Sequence, residues 1–158
     1  MNILVLGGTQ FVGRHIVEAM VSAGHDVTIL TRGITPDALS ANVEHLRGDR
    51  DGGRESLAAL GTERTWDACI DVTGYLPGQV QPSAEFLRDR VSRYVFVSAV
   101  RTYGDPPHGP VTEDFPTVAP AVPGVTEIDN DTYGPLKVAC EQLVQSALGS
   151  VPPYFVLR

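Results

Sequence analysis

Ile3 to Leu6 is an unbroken apolar run of the kind that fills a strand buried on both faces. Gly7 and Gly8 close it, and from Phe11 the spacing turns helical, with Phe11, Val12, Ile16, Val17 and Met20 sharing one apolar side. The alternation then repeats. Gly24-His25 stops the helix and Asp26 to Leu30 reads as a second strand; Val43 to Arg47 reads as a short third one. After Gly48 to Gly53, a helical segment over 54–60 carries Leu57 and Leu60 on one side. Trp66 to Val72 predicts strand four, 78–90 a helix with Pro82 in its first turn or at a kink, and Arg93 to Ser98 strand five. A proline-rich irregular stretch over 99–131 precedes a helix over 132–148 expected to bury Leu136, Ala139, Cys140, Leu143, Val144 and Ala147; Tyr154 to Leu157 begins strand six. Strands alternating with helices imply right-handed crossovers. The predicted fold is therefore α/β, a doubly wound parallel sheet with helices on both faces and strand order 3-2-1-4-5-6.

Composition adds limits rather than a class. A chain of 158 residues suits one domain, 1–158. Nineteen acidic against twelve basic residues leave a formal net charge of −7, which argues against a broad nucleic-acid or anionic-membrane surface. The apolar N-terminus has no basic leader, and no apolar stretch approaches the roughly 20 residues of a membrane span, so a cytoplasmic protein is expected. Cys69 and Cys140 stand in apolar contexts and are read as buried thiols. His15, His25, His45 and His108 show no metal-ligand spacing with each other or with the cysteines, and no metal is assigned.

Strand, glycine turn and helix N-terminus at residues 1–14 form the arrangement that cradles a pyrophosphate, because free N–H groups and the helix dipole converge there. Gly7 suits the sharp turn and Gly13 a close helix–strand contact. Gln10 stands where a dinucleotide loop usually has its middle glycine; either the pyrophosphate shifts outward or the Gln10 amide donates to it. At the end of strand two, Asp26 is at the wrong end to receive ribose hydroxyls, while Arg32 follows the carboxyl edge, where a guanidinium suits a 2′-phosphate and tilts the cofactor toward NADP over NAD. Tyr133 and Lys137 lie four apart on one helical face, a phenol beside a cation that would stabilise phenolate for proton exchange with an alcohol or carbonyl.

The motifs Gly7-Gly-Thr9-Gln10-Phe11-Val12-Gly13, Gly48-Asp49-Arg50, Thr73-Gly74-Tyr75, Val97-Ser98-Ala99 with Tyr103-Gly104, Tyr133-Gly-Pro-Leu-Lys137 and Val156-Leu-Arg158 follow one another along the chain. In that order they resemble the extended and atypical short-chain dehydrogenase/reductases, the NAD-dependent epimerase/dehydratase family. The resemblance implies an NAD(P)-binding Rossmann domain. It also implies that Tyr133 is the general acid/base, that Lys137 lowers its pKa and binds the nicotinamide ribose, and that Asp49, with Arg50, contacts adenine. Thr73, Gly74 and Tyr75 would flank the adenosine ribose and pyrophosphate, and Ser98 is the serine available after strand five for the reacting oxygen. Three features depart from the pattern: Gln10, Ala99 at the usual Ser/Thr position, and an ending at the Leu-Arg motif, where relatives continue into a substrate-binding portion. The expected activity is hydride transfer on an alcohol or carbonyl of a small-molecule substrate, with a sugar nucleotide as one class. A non-catalytic dinucleotide sensor is the alternative, and an RNA-binding role by analogy with atypical relatives is disfavoured by the charge. A homodimer is an open expectation.

Overall fold

The computed structural model describes residues 1–36, 38–104 and 111–158; His108 lies outside them. Six strands form one parallel sheet in the order β3-β2-β1-β4-β5-β6, as predicted. They are β1 (Asn2–Leu6), β2 (Asp26–Thr31), β3 (Glu44–Arg47), β4 (Ala68–Asp71), β5 (Tyr94–Val97) and β6 (Tyr154–Leu157). Among the described residues three α-helices lie between them: α1 (Phe11–Ser22), α2 (Pro77–Leu87) and α3 (Tyr133–Leu148).

The period-two alternation of β1 sorts its side chains onto two cores. Ile3 and Val5 pack with Val27, Ile29 and Val43 beneath Val17 of α1. Leu4 and Leu6 point the other way, into a larger cluster with Phe96, Tyr94, Val80, Leu87, Cys140 and Val144 under α2 and α3. Burial on both faces is why β1 reads as a continuous apolar run. Cys69 and Cys140 are buried thiols, and burial pushes Cys140 up to about 12.

Several expectations are corrected. Phe11 and Val12 do not join the core: they are 86% and 58% exposed, and the buried face of α1 is Gly13 and Val17. The first turn overhangs the sheet's carboxyl edge, so apolar residues there have no strand beneath them. The helical segment expected over 54–60 is a 3₁₀ helix that starts earlier (Arg50–Leu60), and it is broken at Gly53, whose φ of 65° interrupts the helical path. β4 is shorter than expected; Trp66 instead makes an isolated bridge to Val91. α2 begins with Pro77, and Pro82 lies inside it. Ala139 and Leu143 are only half-buried, lining an outer groove beside residues 120–126. No described helix is long and apolar enough to cross a membrane.

Candidate functional site

The carboxyl ends of β1, β2, β4 and β5 open into a cavity of about 520 Å³. That is the switch point of a doubly wound sheet, where crossovers leave in opposite directions and a crevice opens. Of the cofactor-binding residues expected from sequence, Gly7, Thr9, Gln10, Phe11, Val12, Gly13, Arg32, Asp49, Arg50, Thr73, Tyr75 and Lys137 all line it, with Ser98 and Tyr133. Gly74 does not. It is buried beneath, where a Cβ would lie 2.6 Å from Phe96 and 2.7 Å from Val80.

At the pyrophosphate end, Gly7 takes a φ of 103°, open to glycine, and a Cβ there would lie 2.4 Å from the Thr73 methyl. Its N–H still donates to Leu30 in the sheet ladder. Gln10 is the N-cap of α1 with extended backbone, yet its side chain makes no capping hydrogen bond, and the first turn holds no acidic residue. The positive end of α1 therefore faces the cavity without an internal counter-group. Gly13 packs on Gly8, 3.0 Å from a would-be Cβ to its Cα. Phe11, with φ at 41°, is the one non-glycine described residue in the left-handed region, a strain of roughly 1–2 kcal/mol held at the cavity mouth.

At the adenosine end the sequence placed Asp49 and Arg50 together, but the structure separates their roles. Asp49 is exposed and accepts the Asp51 N–H, capping the 3₁₀ helix. Arg50 is buried, and all five of its N–H donors are engaged: two on Asp71 at 2.7 Å each, and one each on Ser83, Thr73 and the Gln79 carbonyl. It borders the cavity but has no donor to offer adenine. Burial opposes its charge and Asp71 more than offsets this, so its pKa rises. Asp71 also accepts from the Tyr94 hydroxyl at 3.0 Å and the Thr73 N–H at 3.2 Å. Asp26 pairs with Asn2, at the far end of the sheet from the cavity.

At the opposite end, Tyr133 and Lys137 rise from the first turns of α3. Lys137 is 2% exposed, and its ammonium donates to the Gly74 carbonyl at 2.8 Å and the Val97 carbonyl at 2.7 Å, with the Phe96 ring 4.3 Å away. Burial lowers its pKa, against the field of Asp71. The Tyr133 phenol is pushed up, by burial and by the neighbouring Tyr75. Ser98 donates its proton to the Glu141 carboxylate at 2.5 Å, and Arg158 grips Glu141 at 2.7 Å and approaches the Tyr103 hydroxyl at 3.4 Å. What Ser98 can show the cavity is lone pairs. Ala99 turns its carbonyl to Thr102 and supplies no hydroxyl.

Sequence reasoning missed Asp71, Glu141 and Gln79. The first two had a readable signal: a carboxylate inside an apolar strand or on the inner face of a helix must be paired. Gln79, whose side chain accepts from the Tyr75 and Leu76 N–H groups and donates to Asp51, had none.

Residues 3–75 match the NAD-dependent epimerase/dehydratase family. The chain is 33% identical over 149 residues to the 2′-dehydrokanamycin reductase of Streptomyces kanamyceticus, covering 93% of this chain and 38% of that protein. It is 32% identical over 118 residues to the chloroplast stem-loop binding protein of 41 kDa b of Arabidopsis thaliana, covering 65% of this chain and 30% of that protein. The chain thus spans well under half the length of these two relatives. Among solved structures, the UDP-Glc/GlcNAc 4-epimerase of Campylobacter jejuni superposes with a TM-score of 0.79 at 18% identity, over 99% of this chain and 52% of that one, which shows a common fold. The ordered motifs, the glycine turn at the head of this sheet and the match over residues 3–75 point the same way: this chain is similar to the NAD-dependent epimerase/dehydratase family.

Proposed function

We propose that the chain, read as one dinucleotide-binding domain, binds a nicotinamide dinucleotide along the sheet's carboxyl edge and supports hydride transfer on an alcohol or carbonyl, with a sugar nucleotide as the substrate class. One observation carries this reading: a single cavity runs from the uncapped N-terminus of α1, past the ends of β2 and β3, to Tyr133 and Lys137. The α1 N–H groups and Gln10 would hold the pyrophosphate, and Thr73 and Tyr75 would flank the adenosine ribose. Asp49 would accept from adenine, and Arg32 tilts the choice toward NADP. The nicotinamide, when bound, supplies or accepts the hydride.

The chain's own contribution is orientation and a proton. Lys137 has one donor left beyond Gly74 and Val97, and it points the reading to the nicotinamide ribose. Tyr133 would give its phenolic proton to a carbonyl oxygen, or take one from an alcohol. Ser98, its proton held by Glu141, would accept from a substrate hydroxyl. Titration of the protein with NADH and NADPH, followed by nicotinamide fluorescence, tests the binding; no signal with either at millimolar levels overturns it.

Ala99 favours a second reading, a dinucleotide-binding module without turnover. It predicts that Tyr133→Phe leaves cofactor affinity unchanged and that no carbonyl or sugar nucleotide supports NAD(P)H oxidation. The similarity to a stem-loop binding protein supports an RNA role less well, since net charge −7 opposes the broad basic surface that a nucleic-acid backbone needs.

A further inference from the structure

Adding a hydride to a carbonyl builds negative charge on its oxygen, and that charge needs a hydrogen-bond donor besides the group that finally protonates it. Tyr133 is the proton donor in the reading above, and the residues after β5 supply no second donor. Ala99 has no hydroxyl, and Ser98 gives its proton to Glu141 at 2.5 Å. Thr73 also lines the cavity, but its hydroxyl donates to the Leu6 carbonyl at 3.1 Å and accepts from Arg50 at 3.3 Å.

Tyr75, in the turn after β4, is placed differently. Its N–H donates to the Gln79 side chain at 3.2 Å, which pins the main chain, while the residue is 41% exposed. The ring is centred 5.7 Å from the Lys137 ammonium, within reach of its charge, and the same ammonium holds the carbonyl of the preceding Gly74 at 2.8 Å. The side chain therefore reaches the end of the cavity that carries Lys137 and Tyr133, beyond the ribose flank that the resemblance implied for it. Tyr75 is also one cause of the raised Tyr133 pKa, an influence that one phenol exerts on another only from close by. Among the described residues neither of these two hydroxyls forms a hydrogen bond. Two phenols thus flank one buried ammonium, and both line the same cavity.

We propose that Tyr75 is a second catalytic phenol, whose O–H donates a hydrogen bond to the substrate's reacting oxygen in the role that Ala99 leaves without a hydroxyl. In the reducing direction the carbonyl carbon takes the hydride of the reduced dinucleotide, which is thereby oxidised. The C=O π pair moves to the oxygen, the oxygen takes the Tyr133 proton, and Tyr75 keeps its own proton throughout. The proposal rests on the hydride-transfer reading above and adds to it a residue from the turn after β4.

Tyr75→Phe tests it, since the substitution removes the hydroxyl and keeps the ring. Turnover is followed by nicotinamide absorbance, with p-nitrobenzaldehyde and NADH or NADPH, and with UDP-glucose and the oxidised forms. In the variant kcat should fall on the order of a hundredfold, the scale of one oxyanion donor. KM and dinucleotide affinity, the latter read by nicotinamide fluorescence, should stay within about twofold, because a donor used only in the transition state is lost from kcat. A second measurement needs no substrate. Difference absorbance between Tyr75→Phe and the Tyr75→Phe/Tyr133→Phe double variant isolates the Tyr133 titration, which should lie below its wild-type position. An unchanged kcat in Tyr75→Phe, or a Tyr133 titration that does not move, overturns the proposal and leaves the hydride-transfer reading standing. Dinucleotide binding by the wild type without turnover of either probe overturns hydride transfer, and the proposal with it. Failure of NADH and NADPH to bind at all overturns the dinucleotide reading as well.

Discussion

Lys137 has three N–H donors, and two of them are spent on carbonyls that belong to different strands' ends, Gly74 after β4 and Val97 in β5. A buried ammonium needs such partners, since desolvation otherwise drives it to the neutral amine. Tyr133, one helical turn away, is shifted up by burial and by the neighbouring Tyr75. The phenol is therefore held protonated in the cofactor-free protein, ready to donate and slow to accept. A raised phenol pKa also means that the protein binds this proton more tightly than the unfolded chain, so its contribution to stability is complete below the ordinary tyrosine value and is lost as pH rises through the shifted one. Difference absorbance between wild type and Tyr133→Phe should place the Tyr133 titration above that ordinary value. Saturating oxidised dinucleotide, whose nicotinamide ring is cationic, should bring it down, and reduced dinucleotide should not. A titration indifferent to the oxidised form would remove Tyr133 from the proton-transfer role.

The elements around the site are tied by residues that look incidental in sequence. Arg50 joins the 3₁₀ helix to β4 through Asp71 and to α2 through Ser83 and Gln79. Removing one partner leaves the other charged and buried, so Arg50→Met or Asp71→Asn should cost about 3–5 kcal/mol in denaturant unfolding, and the double variant less than the sum. Gly134 is a second tie. Its α-carbon faces the Arg101 carbonyl so closely that a Cβ would sit 2.4 Å from the oxygen, which is backbone and cannot rotate aside. Gly134→Ala should cost about 1–3 kcal/mol and weaken any turnover more than cofactor affinity, because it tilts the first turn of α3 that carries Tyr133. The strands and α-helices were legible because each has its own periodicity and stop signals. The start of the 3₁₀ helix was not, since Gly52 and Gly53 break the pattern ahead of Leu57 and Leu60, which revealed only its second half. The error at Phe11 and Val12 has a different origin: helical periodicity reports which side chains share a face, not whether a strand lies under that turn.

At the scale of the whole molecule, the order of strands was readable because two-sided burial and right-handed crossovers leave few alternatives. The placement of most cavity residues followed from it, since the turns after the strands that carry motifs all end on one edge of the sheet. What stayed hidden was polarity: which donors and acceptors the fold uses internally and which it leaves to a ligand. Arg50, Asp49 and Ser98 are all polar residues near the cavity, and only their partners reveal that the first is spent, the second half-spent and the third turned into an acceptor. The same ledger leaves the N-terminus of α1 without an internal counter-group on a cavity that Arg32 also lines, in a chain whose net charge is −7. An anionic ligand there relieves a local excess without opposing any internal bond, so its binding free energy should appear in full as stabilisation of the fold. At a concentration of 100 Kd, NADPH should add about 2.7 kcal/mol, or roughly 5–10 °C in thermal midpoint for a domain of this size. The increment should shrink as salt is raised, and in Gln10→Asp, which sets a carboxylate at the α1 N-cap where it competes for the same N–H groups, it should fall while the midpoint of the ligand-free protein rises. Opposite movement of the increment and the ligand-free midpoint is the signature of a helix end reserved for ligand; if Gln10→Asp changes neither, the pyrophosphate is held elsewhere.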